Sequence, residues 1–143
     1  MSAIATMETL RDAIRASTGP ERELDAAFAR LVLGWAGVAE RKQTTWLGGV
    51  DKVVTSGWMG SPPGGGFVPV PAYLDPLAGP GALFAAALAG WPDVALRVEA
   101  WMSGAGPQAL AMFEDRREER HPLLTHALAL AMTEAAIQER DSK

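Results

Sequence analysis

The chain has 143 residues and a mass of 15.1 kDa, a length that suits a single domain over residues 1–143. With 48% hydrophobic and 21% charged residues it reads as globular, with apolar side chains enough for one sizeable core. Lys and Arg number 13 against 17 Asp and Glu, so the net charge of -4 lacks the basic footprint of a nucleic-acid binder, and the absence of cysteine excludes disulfides, a thiol nucleophile and thiolate metal sites.

Met1 to Thr6 carry neither the basic start nor the apolar h-region of a signal peptide. The longest apolar run, Ala82 to Ala89, falls far short of the roughly 18 to 20 residues of a membrane span. The expectation is a cytoplasmic protein without membrane contact. Met7, Leu10 and Ile14 are spaced by three and four, as on one face of a first helix. Ser17-Thr18-Gly19-Pro20 breaks it, and Thr18 with Glu21 has the spacing of a capping box for a second helix. Leu24, Ala27, Phe28, Leu31 and Val32 then follow the helical template, Glu21, Glu23 and Asp25 suit the opening turns, and Gly34 is a stop.

The charge-poor middle of the chain holds most of the glycine, proline and tryptophan and reads mainly as strands. Thr44 to Leu47, Lys52 to Trp58 and Phe67 to Val70 are short β-prone runs, and Ser61-Pro62-Pro63-Gly64-Gly65-Gly66 is a loop. A short helix is predicted from about Pro80 to Ala89, closed by Gly90 and Pro92, with Asp75-Pro76 as an alternative start. Val94 to Met102 alternates with period two, Ser103 to Pro107 is a turn, and Gln108 to Glu114 returns as the paired strand. A long helix from Pro122 to about Glu139 closes the chain, with Leu124, Ala127, Leu128, Ala131 and Ala135 in one stripe widened by Leu123, Leu130 and Ile137. The order gives an α+β fold in which an antiparallel sheet is packed between helical layers, a helix-sheet-helix sandwich.

Three stretches carry a resemblance: Gly19-Pro20-Glu21-Arg22-Glu23-Leu24-Asp25-Ala26-Ala27 leading to Leu33-Gly34-Trp35; Pro69-Val70-Pro71-Ala72-Tyr73 before an alanine-rich helix ending at Gly90-Trp91; and the closing Pro122 to Ala131. In this order they resemble the phage ABA sandwich domain group, a set of small phage and prophage proteins. The run Leu74 to Gly81 differs from the group in its extra proline and glycine. The resemblance implies a sheet between helical layers and a phage setting, and it transfers no catalytic residue.

Gly104-Ala105-Gly106-Pro107-Gln108-Ala109 matches a dinucleotide fingerprint formally, but Pro107 removes an N–H and no acid lies about 20 residues on, so a hairpin turn is expected. Gly64-Gly65-Gly66 lacks the Lys-Ser or Lys-Thr of a P-loop, and no Gly-x-Ser-x-Gly elbow occurs. His121 and His126, five apart, do not make an i, i+4 metal pair, so surface or capping roles are expected. The acids Glu114, Asp115, Glu118 and Glu119 are interleaved with Arg116, Arg117 and Arg120 and read as a solvated connection. Asp75 and Asp93 could pair as a glycosidase couple, but capping explains each.

The tryptophans remain. Trp35 is assigned to the core. Trp58 and Phe67, flanking the Pro-Gly loop, with Trp46 and Trp101, are the residues expected to bind a partner, because aromatics among few charges are typical of interface centres. The expected function is a non-enzymatic phage or prophage accessory protein that binds a host or phage protein, with inhibition of a host defence complex as a narrower form. No cofactor and no metal is expected, and self-association is open. The alternatives are a virion structural or assembly protein, or a small-molecule enzyme with an unrecognised site.

Overall fold

The computed structural model describes residues 4–48, 51–114 and 116–142; the side chains of 42–47 and 51–56 lie outside that description. The first helix, α1 (Met7–Ala16), opens at Thr6, whose hydroxyl accepts the Thr9 amide at 3.1 Å, and it buries Leu10 and Ile14. The second, α2 (Arg22–Leu31), begins at Glu21 with no side-chain cap. The capping box expected at Thr18 therefore does not form; the turn before α2 is fixed instead by two distant histidines.

Two long strands follow, β1 (Ala36–Leu47) and β2 (Asp51–Ser61), paired antiparallel from Ala36↔Ser61 to Leu47↔Asp51. The ribbon starts earlier than the sequence predicts. Its added part mixes exposed Ala36, Gly37, Glu40 and Arg41 with half-buried Val38 and Ala39, so no apolar alternation marks it. A third strand, β3 (Val68–Pro69), adds only the pairs Met59↔Pro69 and Gly60↔Val68.

The helix α3 (Gly79–Gly90) is entered through a tight turn in which Asp75 Oδ1 accepts the Leu77 and Ala78 amides at 2.8 and 3.0 Å. These backbone bonds hold the Asp75 carboxyl below its ordinary range. A Cβ at Gly79 would stand 2.1 Å from the Tyr73 carbonyl oxygen, so only glycine fits where the helix leaves that turn.

The strands β4 (Leu96–Ser103) and β5 (Gly106–Phe113) form the expected hairpin, from Leu96↔Phe113 to Ser103↔Gly106. Gly106 has φ 116, and a strand rather than a helix follows it, which removes the dinucleotide reading. The stretch read as a solvated connection contains an edge strand, β6 (Glu119–His121), paired with β5 and burying Glu119 and His121. Asp115 lies outside the described residues.

The last helix, α4 (Leu124–Asp141), packs on all three strands of the β4-β5-β6 sheet and against α1 and α3. In turn α1 packs on α2, and α2 on β1 and β2. The α+β class is as expected, but the strands divide into two three-stranded antiparallel sheets, with the main line of packing running through the helices. The core includes Leu10, Ile14, Phe28, Leu74, Leu83, Phe113, Leu128 and Leu130.

Candidate functional site

Among the described residues a large open groove has a volume of about 1040 Å³. The end of α2 and the following turn (Leu31, Val32, Leu33 and Trp35) make one wall. Ala82, Ala85, Ala86 and Ala89 of α3 make the opposite one, with Trp91 at the end and Pro62 and Pro63 on the rim. Its lining is mostly apolar. Two charged residues lie at its edge, and both are engaged. The Trp91 indole N–H donates to Glu139 at 2.5 Å, and Arg140 pairs with Glu8 and Asp141. The Arg140 hydrogen bonds hold the Glu8 carboxyl down at about 2.

Tyr73 is the polar group in this apolar trough. It is 3% exposed, lines the groove, and meets Phe28 edge-on with ring centroids 5.3 Å apart. Burial, reinforced by the Asp25 carboxylate, pushes its phenol up to about 12, so the hydroxyl stays a donor at neutral pH. The hydroxyl is not a buried atom left without a partner; it opens onto the groove.

Asp25 sets the position of Tyr73. Fully buried on α2, it accepts the Leu74 amide at 2.9 Å and Arg22 Nη1 at 2.8 Å, while Arg22 also donates to the Val70 carbonyl. Burial raises the Asp25 pKa against these bonds. A helix-opening acid thus acts as a strut that pins segment 70–74 to α2. The sequence gives no sign of it beyond an acid in the first turn.

A second polar cluster joins the chain's two ends. His121 Nε2 lies 3.0 Å from the Ser17 carbonyl, and its Nδ1 accepts the Leu123 amide at 2.9 Å, so the ring is neutral with its proton on Nε2. His126 Nε2 lies 3.0 Å from Ser17 Oγ and 3.1 Å from the Gly19 carbonyl, with Thr125 Oγ1 3.2 Å from its Nδ1. The two imidazoles stack at 4.6 Å. The surface or capping roles expected for them are corrected: both rings are buried, and His121 belongs to β6, so helical spacing does not separate them. Burial lowers both pKa values, that of His126 to about 4 with help from His121. Ser17 beside His126 has the look of an activated nucleophile. Yet Ser17 is buried, its hydroxyl donates to the Gly19 carbonyl at 2.9 Å, and it lines neither the groove nor the arginine-lined cavity described next. The cluster is structural.

That smaller cavity, of about 230 Å³, is lined by Arg11, Arg15, Arg116 and Arg117 together with Glu119 and Glu134. Arg11 is paired with Glu134 at 3.2 Å and Arg15 with Glu119 at 3.4 Å, so much of its charge is spent internally. No cluster of metal-ligating side chains occurs among the described residues.

The residues expected to bind a partner fall in different places. Phe67 is 48% exposed, with the Arg41 guanidinium 5.2 Å from its ring centre. Trp58 is half-buried against the core. Trp101 is 38% exposed beneath Arg120 on the outer face of β4. Trp46 sits in β1 opposite Lys52, its side chain outside the described residues. The Pro-Gly loop reaches the groove through Pro62 and Pro63 rather than through its flanking aromatics. Trp35, assigned to the core, is half-buried and lines the groove. Asp93 is exposed, and Asp75 is committed to its turn.

Comparison with known protein families, with curated proteins and with solved structures finds no match to this chain. No helix among the described residues is long and apolar enough to cross a membrane.

Proposed function

We propose that the protein is a non-catalytic accessory protein of a phage or prophage that holds an apolar segment of a partner protein in the groove between α2 and α3. The phage setting rests on the resemblance carried by residues 19–35, 69–91 and 122–131. The binding reading rests on one observation: an open apolar trough flanked by Trp35 and Trp91, onto which the hydroxyl of the otherwise buried Tyr73 opens. Such a trough supplies contact area from its aromatics and a single directional donor. A main-chain carbonyl of an extended peptide satisfies that donor. The groove volume lies at the upper end of the range for small-ligand pockets, roughly 300 to 1,000 Å³, which favours a polypeptide segment.

Within this reading the partner is a component of a host defence complex, and the acidic net charge of -4 suits a basic, nucleic-acid-handling protein. Affinity capture from host lysate, run in parallel with Ala89→Arg and Tyr73→Phe, tests the assignment. Ala89 is exposed on the groove wall, so arginine there fills the trough without entering the core. A partner retained by the parent chain and lost with Ala89→Arg supports the groove. Equal capture by the parent and both variants overturns it.

A further inference from the structure

The arginine-lined cavity holds more positive charge than the fold uses. Arg11 and Arg15 reach it from α1, and Arg116 and Arg117 from the connection that follows β5. Glu119 of β6 and Glu134 of α4 are the acids of its lining, so the wall stands at +2 in a chain whose net charge is -4. Three of the four arginines have a part in the fold. Arg11 meets Glu134 at 3.2 Å and Arg15 meets Glu119 at 3.4 Å, which ties α1 to α4 and β6. Arg116 Nη1 donates to Gln138 at 2.5 Å, which ties the connection to α4. Arg117 has no such part. It is exposed, and among the described residues it forms no ion pair or hydrogen bond. Burial and the nearby Glu134 raise the Glu119 pKa, while Arg15 and, through space, Arg117 lower it.

We propose that this cavity binds a phosphate dianion, free or at the end of a small molecule, with Arg117 supplying the charge that the fold leaves uncommitted. A dianion neutralises the +2 of the lining, which a single carboxylate does not. The planar guanidinium fork matches phosphate oxygens in pairs. The Arg11–Glu134 and Arg15–Glu119 contacts are longer than the about 2.7–2.9 Å of a tight charge-assisted bond, so an arriving anion competes with weak partners. Phe113 and Ala131, both buried, give the lining an apolar part that lowers the local dielectric and strengthens such bonds. The volume of about 230 Å³ falls below the roughly 300 to 1,000 Å³ of whole-ligand pockets, which fits one compact ionic group. A nucleic-acid strand is disfavoured. A polyanion meets the acidic surface around the cavity, whereas a small ion inside it feels mainly the charges within the screening length of about 8 Å. The cavity shares no lining residue with the groove, so the two sites are tested by separate variants.

The test uses the full chain. Calorimetric titration with inorganic phosphate at fixed ionic strength and about pH 7.5 should show saturable one-to-one binding with Kd below about 1 mM. Arg117→Gln should weaken it at least about tenfold and leave the circular-dichroism spectrum and thermal midpoint unchanged, because Arg117 holds no contact in the fold. Arg117→Lys keeps the charge but loses the fork, and should fall between the two. Glu119→Gln removes one of the two carboxylates and releases Arg15, so it should tighten binding about threefold or more, a gain that mere disruption of the fold does not produce. Arg97→Gln, outside the cavity and paired with Glu99, should bind as the parent does. Acetate, a monoanion, should bind at least about tenfold more weakly than phosphate. Phenyl phosphate distinguishes the two sources of the dianion: tighter binding than phosphate assigns the site to a small-molecule monoester, and equal or weaker binding to the free ion. No saturable heat up to about 10 mM phosphate, equal affinity of the parent and Arg117→Gln, or a Glu119→Gln variant that binds no tighter than the parent would overturn the proposal. So would acetate binding as tightly as phosphate, or an Arg117-dependent preference for a single-stranded oligonucleotide.

Discussion

The helices α3 and α4 are built from much the same alanine and leucine, yet their burial runs opposite to their polarity. In α3 there is no polar side chain, and Gly79, Leu83 and Ala87 are its buried residues. In α4, Thr125, His126 and Thr133 are buried along with eight apolar residues. The difference comes from position: α4 is enclosed by α1, α3 and a three-stranded sheet, whereas α3 rests on α4 along one stripe. Apolar character in α4 is used up in folding. In α3 it exceeds what folding uses, and such excess is what a binding surface looks like in a sequence.

The largest expected effect separates these two helices directly. Leu128→Ala in α4, or Phe28→Ala in the adjoining core, should lower stability by roughly 2 to 5 kcal/mol in urea unfolding. Leu88→Ala in α3, at an exposed position, should change it by no more than about 0.5 kcal/mol. Equal losses at Leu128 and Leu88 would break the comparison.

The next effect belongs to α4 and its buried histidine. The folded His126 pKa, about 4, lies below its ordinary 6.5, so the unfolded chain takes up the proton first as pH falls. Stability from this group is complete above pH 6.5 and is lost progressively down to about pH 4, amounting to about 3 kcal/mol. His121 shifts in the same direction. Asp25 and Glu119, whose pKa values burial raises, act in the opposite sense at the acid end. Urea midpoints at pH 7.5, 5.5 and 4 should therefore fall less steeply for His126→Gln than for the parent chain. Parallel profiles would place the acid sensitivity elsewhere.

Two smaller effects sharpen the picture around the groove. Trp58→Ser should lower the thermal midpoint by several degrees, since Trp58 packs against the core, while Phe67→Ser should leave it nearly unchanged. Equal midpoints for the two would show that the loop aromatics act together. Smallest of all, Tyr73→Phe should shift stability by less than about 0.5 kcal/mol, because its hydroxyl opens onto the groove rather than standing as a buried donor. A larger loss in unfolding would show that the hydroxyl serves the fold rather than a ligand.

What could be read from the chain alone was whatever repeats with a period. The α2 stripe, the β4–β5 alternation and the closing helix are all legible because their apolar residues recur with the period of the element, although α2 and α4 are buried well beyond the stripe that marks them. The early part of β1 was missed because its half-buried pair, Val38 and Ala39, is adjacent rather than alternating. The His121–His126 stack was missed because it joins a strand residue to a helix residue, where no single periodicity applies. The groove was half visible. Its Pro62-Pro63 rim lies in the loop that composition singles out, but Tyr73 is held there by the Asp25 strut, a contact spanning 49 residues that no local pattern encodes.

The histidine stack also sets a timetable for biosynthesis. The turn between α1 and α2 is secured by His121, 104 residues further along the chain. At roughly 5 to 20 residues per second, the ribosome delivers α1 and α2 some 5 to 20 s before their clasp exists. During that interval Leu10, Ile14 and Phe28, all destined for the core, have no α4 to cover them. The nascent chain is thus an open, sticky hairpin of helices throughout that interval, and it should depend on early-acting chaperones until β6 and α4 emerge.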